Sequence, residues 1–255
     1  MTAERKSALT LKSTDEYLAE RPDGALGWGP LTEGILLRRY KRFLADVELP
    51  GGRVITAHTP NTGRMLGCSE PGRPVWLSRH DQPGRKYPFS LEMISMPEAL
   101  VGVNTAVPNR LAAFCARRGL IEELPRPAVV ETEVKSGDSR LDLKITPERG
   151  PRIFVEIKNC TLVENGTAFF PDAVTARGLK HLQELAVLAA GEARAVIFIL
   201  AQRGDALRFS PADHIDPAWG QALRRVVGAG VELLVYQAEL TLEAIRLGRR
   251  LPAVL

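Results

Sequence analysis

Two short segments that alternate apolar and polar residues constrain the fold more than any other part of the chain. Residues 139–145 and 153–158 both have this period of two, and a turn bounded by two prolines separates them. Alternate side chains of a β-strand share a face, so Asp142 is predicted to lie opposite the apolar residues of the first strand, and Glu156 and Lys158 opposite those of the second. If the two strands pair as a hairpin, these three polar side chains converge. The apolar set comprises Leu141, Leu143, Ile145, Ile153, Val155 and Ile157.

Two carboxylates beside a lysine have a definite chemistry. Mg²⁺ (or Mn²⁺) takes oxygen ligands and keeps several waters, so Asp142 and Glu156 are predicted metal ligands with a substrate phosphate completing the shell. Such a metal activates a water and neutralises charge on the phosphate, while Lys158 orients that water or meets the developing charge. The same residues also fit two half-buried strands with solvated charges, since such triplets are common on exposed sheet faces.

Longer runs around these residues resemble a known family. The run Ser-Arg-Leu-Asp, the run Val-Glu-Ile-Lys-Asn and residues 170–185 are similar to the sugar fermentation stimulation protein A family. Residues 39–47 and 60–65 match the same family. The resemblance extends from about Leu31 to the C-terminus.

This resemblance implies a fold and an activity. It implies an OB-like β-barrel followed by a PD-(D/E)xK (restriction-endonuclease-like) mixed α/β domain, in a protein that binds DNA. On that pattern Asp142 is the motif aspartate, Glu156 the (D/E) and Lys158 the lysine. Leu141 stands where the motif name has proline, a position that is loosely kept in that superfamily.

The segment 31–107 consists of short β-like runs between turns, which favours a small barrel. Within it, residues 38–43 interleave four cations with two aromatics. Cations that track phosphates and rings that stack on bases are typical of an OB surface. The alternative is a strand with solvated basic stems and a buried ring; Tyr40 and Phe43 lie on different strand faces, so one is expected in the core. The predicted nucleic-acid contacts are Arg38, Arg39, Tyr40, Lys41, Arg42, Arg64, Arg85 and Lys86.

The acids near the central hairpin include candidates for a third metal-side carboxylate. A helix is predicted over residues 109–120 and a strand over 129–135. Glu133 on that strand ranks first, and Glu122 and Glu123 after the helix compete with it.

A helix predicted over residues 173–190 follows the strand of Glu156 directly. It places Lys180 and His181 on a polar face, from which they are predicted to contact the scissile phosphate or position the water. A generic amphipathic helix has the same polar face without any function. Further along, the order strand (195–200), helix (219–227), strand (231–236) implies a mixed sheet flanked by helices, and a last helix is predicted over 242–247.

The chain as a whole is expected to divide into a tail or appended helix (1–30), an OB-like domain (31–107) and a nuclease-like domain (108–255). Its net charge of +4 permits nucleic-acid binding. Three cysteines without a CxxC pair argue against disulfides and zinc. No apolar run approaches the roughly 18 residues of a membrane span, so a cytoplasmic protein without membrane partners is expected.

These features predict a DNA-binding protein with a Mg²⁺-dependent phosphodiester-hydrolysing site. The alternative is a non-catalytic DNA-binding regulator of sugar metabolism on a nuclease-like scaffold. Composition leaves RNA as another substrate, and the oligomeric state stays open, with a homodimer as one option.

Overall fold

The computed structural model describes residues 17–137 and 139–255. Within these residues, seventeen strands and three helices form an N-terminal barrel and a C-terminal α/β domain. The strands are β1 (Leu18–Glu20), β2 (Ala25–Trp28), β3 (Leu31–Tyr40), β4 (Leu44–Glu48), β5 (Val54–His58), β6 (Pro74–Arg79), β7 (Phe89–Ser95), β8 (Leu100–Gly102), β9 (Pro127–Ser136), β10 (Ser139–Pro147), β11 (Ile153–Cys160), β12 (Leu162–Glu164), β13 (Thr167–Phe170), β14 (Arg194–Ala201), β15 (Arg208–Pro211), β16 (Glu232–Leu240) and β17 (Ala244–Arg250). The helices are α1 (Ala106–Arg118), α2 (Ala176–Ala189) and α3 (Pro217–Gly228).

The N-terminal barrel confirms the expected OB-like domain. Its sheet has the strand order β5-β4-β3-β6-β7-β8, and a parallel contact between His58 of β5 and Ser90 of β7 closes it. Alternate side chains of each strand point inward and fill the small barrel with aliphatic residues. Its buried core includes Leu36, Val47, Ala57, Val75, Leu77, Leu91 and Ile94.

The C-terminal domain is built on an eight-stranded mixed sheet with the order β1-β2-β17-β16-β14-β11-β10-β9. In its centre β11, β14 and β16 run parallel. The unbroken apolar sequence of β14 reflects burial on both faces of the sheet. Helix α1 covers one face of the sheet, and helices α2 and α3 together cover the other. Each face has its own apolar cluster. This architecture confirms the restriction-endonuclease-like fold.

The apolar face of the central hairpin changes at Leu141. Leu143 and Ile145 pack in the cluster of α1, but Leu141 packs in the cluster of α2 and α3 on the opposite face. The prediction that all three share one face is therefore wrong. The neighbouring strand is irregular here, because Glu133 of β9, across from Asp142, has a φ of 54°.

Two terminal segments differ from their predictions. The predicted tail or appended helix at residues 1–30 contains β1 and β2, which extend the C-terminal sheet through pairing of β2 with β17; residues 1–16 lie outside the described part of the chain. The last predicted helix, 242–247, is wrong because this segment enters strand β17, paired on both sides. Sheet pairing between residues more than 200 positions apart overrides local propensity in both places.

The helices otherwise lie close to their predicted positions. Helix α1 begins at Ala106, so the expected domain boundary at 107/108 falls inside its first turn. Helix α2 begins after Thr175, whose side chain accepts a hydrogen bond from the Gly178 N–H at 3.0 Å and caps the helix. None of the helices in residues 17–137 and 139–255 is both long and apolar enough to cross a membrane.

A buried carboxyl group joins the barrel to helix α1. Glu92 of β7 is fully buried and accepts hydrogen bonds from the Ser78 hydroxyl at 2.6 Å and the Asn104 amide at 2.8 Å. Asn104 in turn accepts a hydrogen bond from the Ala106 N–H at 2.9 Å, at the start of α1. Burial raises the pKa of Glu92 from 4.5 to about 7, against the hydrogen bonds of Ser78 and Asn104, which lower it.

We expect this carboxyl group to make stability depend on pH. The unfolded chain releases the Glu92 proton near pH 4.5 and the folded chain only near pH 7, so the unfolded state binds fewer protons between these values. The free energy of unfolding therefore falls as pH rises from about 5 to 8, by on the order of 3 kcal/mol from this group. Urea unfolding at both pH values should show this loss in the wild type and a smaller one in Glu92→Gln. Equal losses would contradict the assignment.

Candidate active site

The central hairpin brings two carboxylates together. Antiparallel pairing of β10 with β11 aligns Leu143 with Val155 and so sets Asp142 beside Glu156. Both oxygens of Asp142 are held: Oδ1 accepts a hydrogen bond from the Asn109 side chain of α1, and Oδ2 accepts one from the Ile157 N–H, each at 2.7 Å. The predicted convergence of the two acids is therefore present.

Glu156 is held on one oxygen only. Its Oε1 accepts hydrogen bonds from Lys158 Nζ at 2.5 Å and from His181 Nδ1. The second ring nitrogen of His181 accepts from Arg177 Nε at 3.4 Å, which agrees with a ring that carries its proton on Nδ1. The other carboxylate oxygen, Oε2, is buried without a hydrogen-bond partner among the described residues. Because Glu156 is only 2% exposed, this oxygen lacks the partner that a buried polar atom normally has.

The environment separates the two acids in pKa. Burial, then the nearby charge of Glu156, raises the pKa of Asp142 to about 6, although the Ile157 N–H and Lys158 act to lower it. Burial also acts to raise the pKa of Glu156, but the hydrogen bond from His181 and the charge of Lys158 outweigh it and the pKa is lowered. Asp142 thus has its negative charge disfavoured unless a cation enters beside it.

The donor set fits a hard cation with few protein ligands. Two carboxylates face the same space, and one of their oxygens, Glu156 Oε2, has no protein partner. In residues 17–137 and 139–255 no group of three or more His, Cys, Asp or Glu side chains is placed to bind a metal. Mg²⁺ commonly binds through one or two carboxylates and completes its shell with water and phosphate, and the pair Asp142 and Glu156 fits this mode of binding.

These acids lie at a pocket between the two domains. The pocket has a volume of about 660 Å³ and takes residues from the barrel, from α1, from the hairpin and from the segment that leads into α2. Of the residues predicted from sequence, those that line it are Asp142, Glu156, Lys158, His181, Arg39, Tyr40, Arg42 and Arg64. The motif residues and part of the basic barrel segment therefore share one cavity, which the sequence did not predict.

Other predicted site residues do not line this pocket. The Glu133 side chain is 59% exposed and lies 4.0 Å from Arg140, so its geometry does not match a third metal-side acid. Lys180 is exposed on α2 outside the pocket, whereas its neighbour His181 points into it. Arg85 and Lys86 line a separate depression on the barrel, where Arg85 donates to the Ser90 hydroxyl at 2.7 Å.

Some side chains of the basic segment 38–43 are engaged in contacts within the barrel. Arg38 forms an ion pair with Asp46 at 2.8 Å, and the Tyr40 hydroxyl donates to the same carboxylate at 3.0 Å. Arg38 remains 70% exposed, and Lys41 is exposed at the following turn. Neither Tyr40, which is half-buried, nor Phe43, which is 44% exposed, joins the barrel core. The expectation that one of these rings is core is therefore wrong.

Two polar residues of the site were missed by sequence reasoning. Asn109 holds Asp142, and Asp172 accepts a hydrogen bond from the Met65 N–H of the barrel at 2.7 Å. Asn109 lies in the first turns of a helix with no distinctive spacing to the motif. Asp172 lies in the family-like run 170–185 and Met65 in the run 60–65, and nothing in those runs shows that the two residues meet.

Comparisons with known proteins agree with this architecture. A family model described as "SfsA N-terminal OB domain" matches residues 37–103, and one described as "Sugar fermentation stimulation protein RE domain" matches residues 106–244. Relatives described as "Sugar fermentation stimulation protein homolog" include one from Geobacter sp. (strain M21), 49% identical over 227 residues, covering 89% of this chain and 98% of the relative. Another, from Shewanella baltica (strain OS185), is 44% identical over 223 residues, covering 86% and 95%.

A solved structure is similar along almost the same length. It is described as "The structure of Pyrococcus Furiosus SfsA in complex with Ca2+", is 28% identical, and covers 91% of this chain and 99% of its own with a TM-score of 0.84. The two family models meet near the start of α1, where the barrel gives way to the α/β domain. From these matches, the chain belongs to the sugar fermentation stimulation protein A family.

Proposed function

We propose that this chain is a DNA-binding protein that hydrolyses phosphodiester bonds with Mg²⁺ or Mn²⁺ at the pocket between its domains. The observation that carries this proposal is the unpartnered Oε2 of Glu156, buried beside Asp142 in a pocket whose rim is basic. A buried carboxylate oxygen without a donor is accounted for if a cation binds there. The similar structure described as SfsA "in complex with Ca2+" supports a divalent cation in this family.

Each residue around the acids has a definite task in this proposal. Asp142 and Glu156 would hold the cation, which when bound supplies an activated water and neutralises phosphate charge. Asn109 and the Ile157 N–H keep Asp142 in place. His181 and Lys158 hold Glu156 through Oε1, which would leave Oε2 for the cation, and Lys158 would also bring positive charge to the reacting phosphate.

The pocket also carries the charge needed to attract a polyanion. Arg42 and Arg64 of the barrel and Arg177 of α2 are exposed and contribute to its lining. Cations that neutralise phosphates supply most of the sequence-independent affinity for DNA. The acids at the centre would repel phosphate by themselves, so these arginines make approach of the substrate favourable.

The direct test is an assay of the purified chain with labelled single-stranded and double-stranded DNA in Mg²⁺, Mn²⁺ or EDTA. We expect cleavage with either metal and none in EDTA, because the two carboxylates need the cation. RNA oligonucleotides in the same assay distinguish the two nucleic acids. If DNA binds and no strand is cut under any of these conditions, the nuclease proposal fails and a non-catalytic DNA-binding regulator takes its place.

A further inference from the structure

Arg39 holds two turns of the barrel with a single guanidinium group. It donates hydrogen bonds to the backbone carbonyls of Asn61 and Gly63 at 2.8 Å, to that of Arg64 at 3.2 Å, and to that of Arg42. The first three carbonyls belong to the segment that follows β5, and the last belongs to the turn between β3 and β4. The planar fork of an arginine suits several acceptors at once, which a lysine ammonium does not reproduce.

Both turns contain backbone that needs such support. Lys41 and Arg42 have φ values of 49° and 66°, and Met65 has a φ of 55°. Residues other than glycine rarely adopt this left-handed region, and they keep it where the surrounding structure holds them. Arg39 binds the carbonyl of Arg42 itself and that of Arg64, directly before Met65. The backbone positions of Arg42 and Arg64 are therefore linked through one side chain.

The second turn is also fixed to the α/β domain. The Met65 N–H donates to Asp172 at 2.7 Å, and the Thr105 hydroxyl donates to the Pro60 carbonyl at 2.8 Å. At Gly63, a Cβ atom would lie 2.6 Å from a carboxylate oxygen of Asp172, so the close approach requires glycine. The barrel thus contributes a rigid wall to the pocket of Glu156.

The exposed part of this wall is basic, and within the described part of the chain two of its arginine side chains are free to bind phosphates. We call Arg42, Thr62 and Arg64 the barrel rim; all three are exposed and line the pocket. No hydrogen bond or ion pair within residues 17–137 and 139–255 engages the side chain of Arg42 or of Arg64. Arg177 of α2 also lines the pocket, so phosphates inside it meet cations from both domains.

The size of the pocket limits what can enter. Its volume of about 660 Å³ is within the range of pockets that hold a drug-sized molecule. Glu156 is 2% exposed and lines the same pocket as the barrel rim, so a phosphate bound beside Glu156 shares a cavity with these cations. Single-strand sites combine a positively charged groove with a flexible strand whose phosphates follow it, and cations on the wall of a pocket of this size favour one flexible strand over a rigid duplex.

Building on the proposed function, we propose that Arg39 is a positioning residue that fixes the backbone of the barrel rim. We propose also that the rim binds the phosphates of a single DNA strand that enters the catalytic pocket. The substrate class is thus single-stranded DNA or an unpaired segment of a duplex. The barrel contributes part of the active site instead of acting as a separate binding module.

The test measures binding in EDTA, so that its result does not depend on catalysis. A labelled single-stranded oligonucleotide and its duplex are titrated with the wild type and with the double variant Arg42→Ala/Arg64→Ala over a range of salt. We expect the wild type to prefer the single strand. The double variant should bind it at least about tenfold more weakly, with the slope of log K against log salt reduced by about 1.4, since each lost phosphate contact removes about 0.7.

Two further variants test whether the effect is specific to the barrel rim. One controls for the loss of a positive charge elsewhere on the barrel, and the other tests the positioning role of Arg39. Arg53→Ala removes an exposed barrel cation outside the pocket and should bind both DNAs like the wild type. Arg39→Lys keeps the charge and loses the fork, so it should show the single-strand defect of the double variant. If Arg39→Lys does not fold, the double variant at exposed positions still decides the question.

Different results would contradict the barrel-rim proposal and the nuclease proposal. Equal single-strand affinity of the wild type and the double variant, or a preference of the wild type for duplex, overturns the barrel-rim proposal whatever the cleavage assay shows. Weaker single-strand binding by the double variant, together with a wild type that cuts no nucleic acid, supports the rim and removes the nuclease function. Equal single-strand affinity of the double variant and the wild type, together with unchanged cleavage, leaves the nuclease and removes the rim.

Discussion

Glu156→Gln is expected to abolish Mg²⁺-dependent cleavage. The substitution keeps the shape of the side chain but removes the charge that a hard cation needs. It also puts an amide on a group whose Oε1 accepts from Lys158 and His181 and whose Oε2 has no partner. Cleavage of labelled DNA should fall to the level seen in EDTA, and calorimetric titration should show loss of Mg²⁺ or Mn²⁺ binding.

Asp142→Asn should give the same result by the same reasoning, since Asp142 is the second proposed ligand. DNA binding should survive in both variants because it rests mainly on exposed cations. Glu131→Gln is the matched control: Glu131 lies on β9, pairs with Lys144 at 2.6 Å outside the pocket, and should leave cleavage unchanged. Normal cleavage by a folded Glu156→Gln protein would refute the proposed metal site.

Lys158→Ala is expected to reduce the rate of cleavage by on the order of 10²-fold or more, the scale found when an electrostatic partner of a transition state is lost. Lys158 lies 2.5 Å from Glu156 Oε1, and its side chain is only 13% exposed. Its removal leaves a buried carboxylate with one charged neighbour fewer, and it withdraws positive charge from the reacting phosphate. Single-turnover rates at saturating DNA measure this loss apart from binding.

Lys144→Ala controls for the loss of a strand lysine. Lys144 lies on β10 in an ion pair outside the pocket, and its removal should change the rate little, because such pairs contribute weakly. The metal affinity of Lys158→Ala should stay within a few-fold of the wild type. A large loss of metal affinity with an unchanged rate at saturating metal would assign Lys158 to the metal site alone.

The hairpin was accessible from sequence because its signal is local. Strict alternation around Asp142 and Glu156 predicts two strands, and their short separation predicts antiparallel pairing. The same local reasoning located α2 and α3, and the continuous apolar run of β14. These predictions are confirmed within one to three residues at most helix and strand ends.

Local reasoning failed where pairing partners are distant. Strands β1 and β2 are three and four residues long, too short for a periodic signal; β1 pairs with β2, and β2 pairs with β17 at the other end of the chain. Leu141 packs on the opposite face of the sheet from Leu143, beside the positive φ of Glu133 on β9. Neither the distant pairing nor the change of face at Leu141 is visible in the alternation of apolar and polar residues.

Local patterns in the chain are enough to predict the chemical groups of the site: two carboxylates and a lysine on a strand pair, a histidine on the following helix, and a basic barrel segment. Which of these groups act together depends on how the two domains pack. Asn109 holds Asp142 across 33 positions, and Asp172 reaches Met65 across 107. The physical reason is that a hydrogen bond depends on distance in space, and the packing of the two domains sets these distances. Arg39, a predicted DNA contact, thereby faces four carbonyl groups, while Arg42 and Arg64 face the pocket.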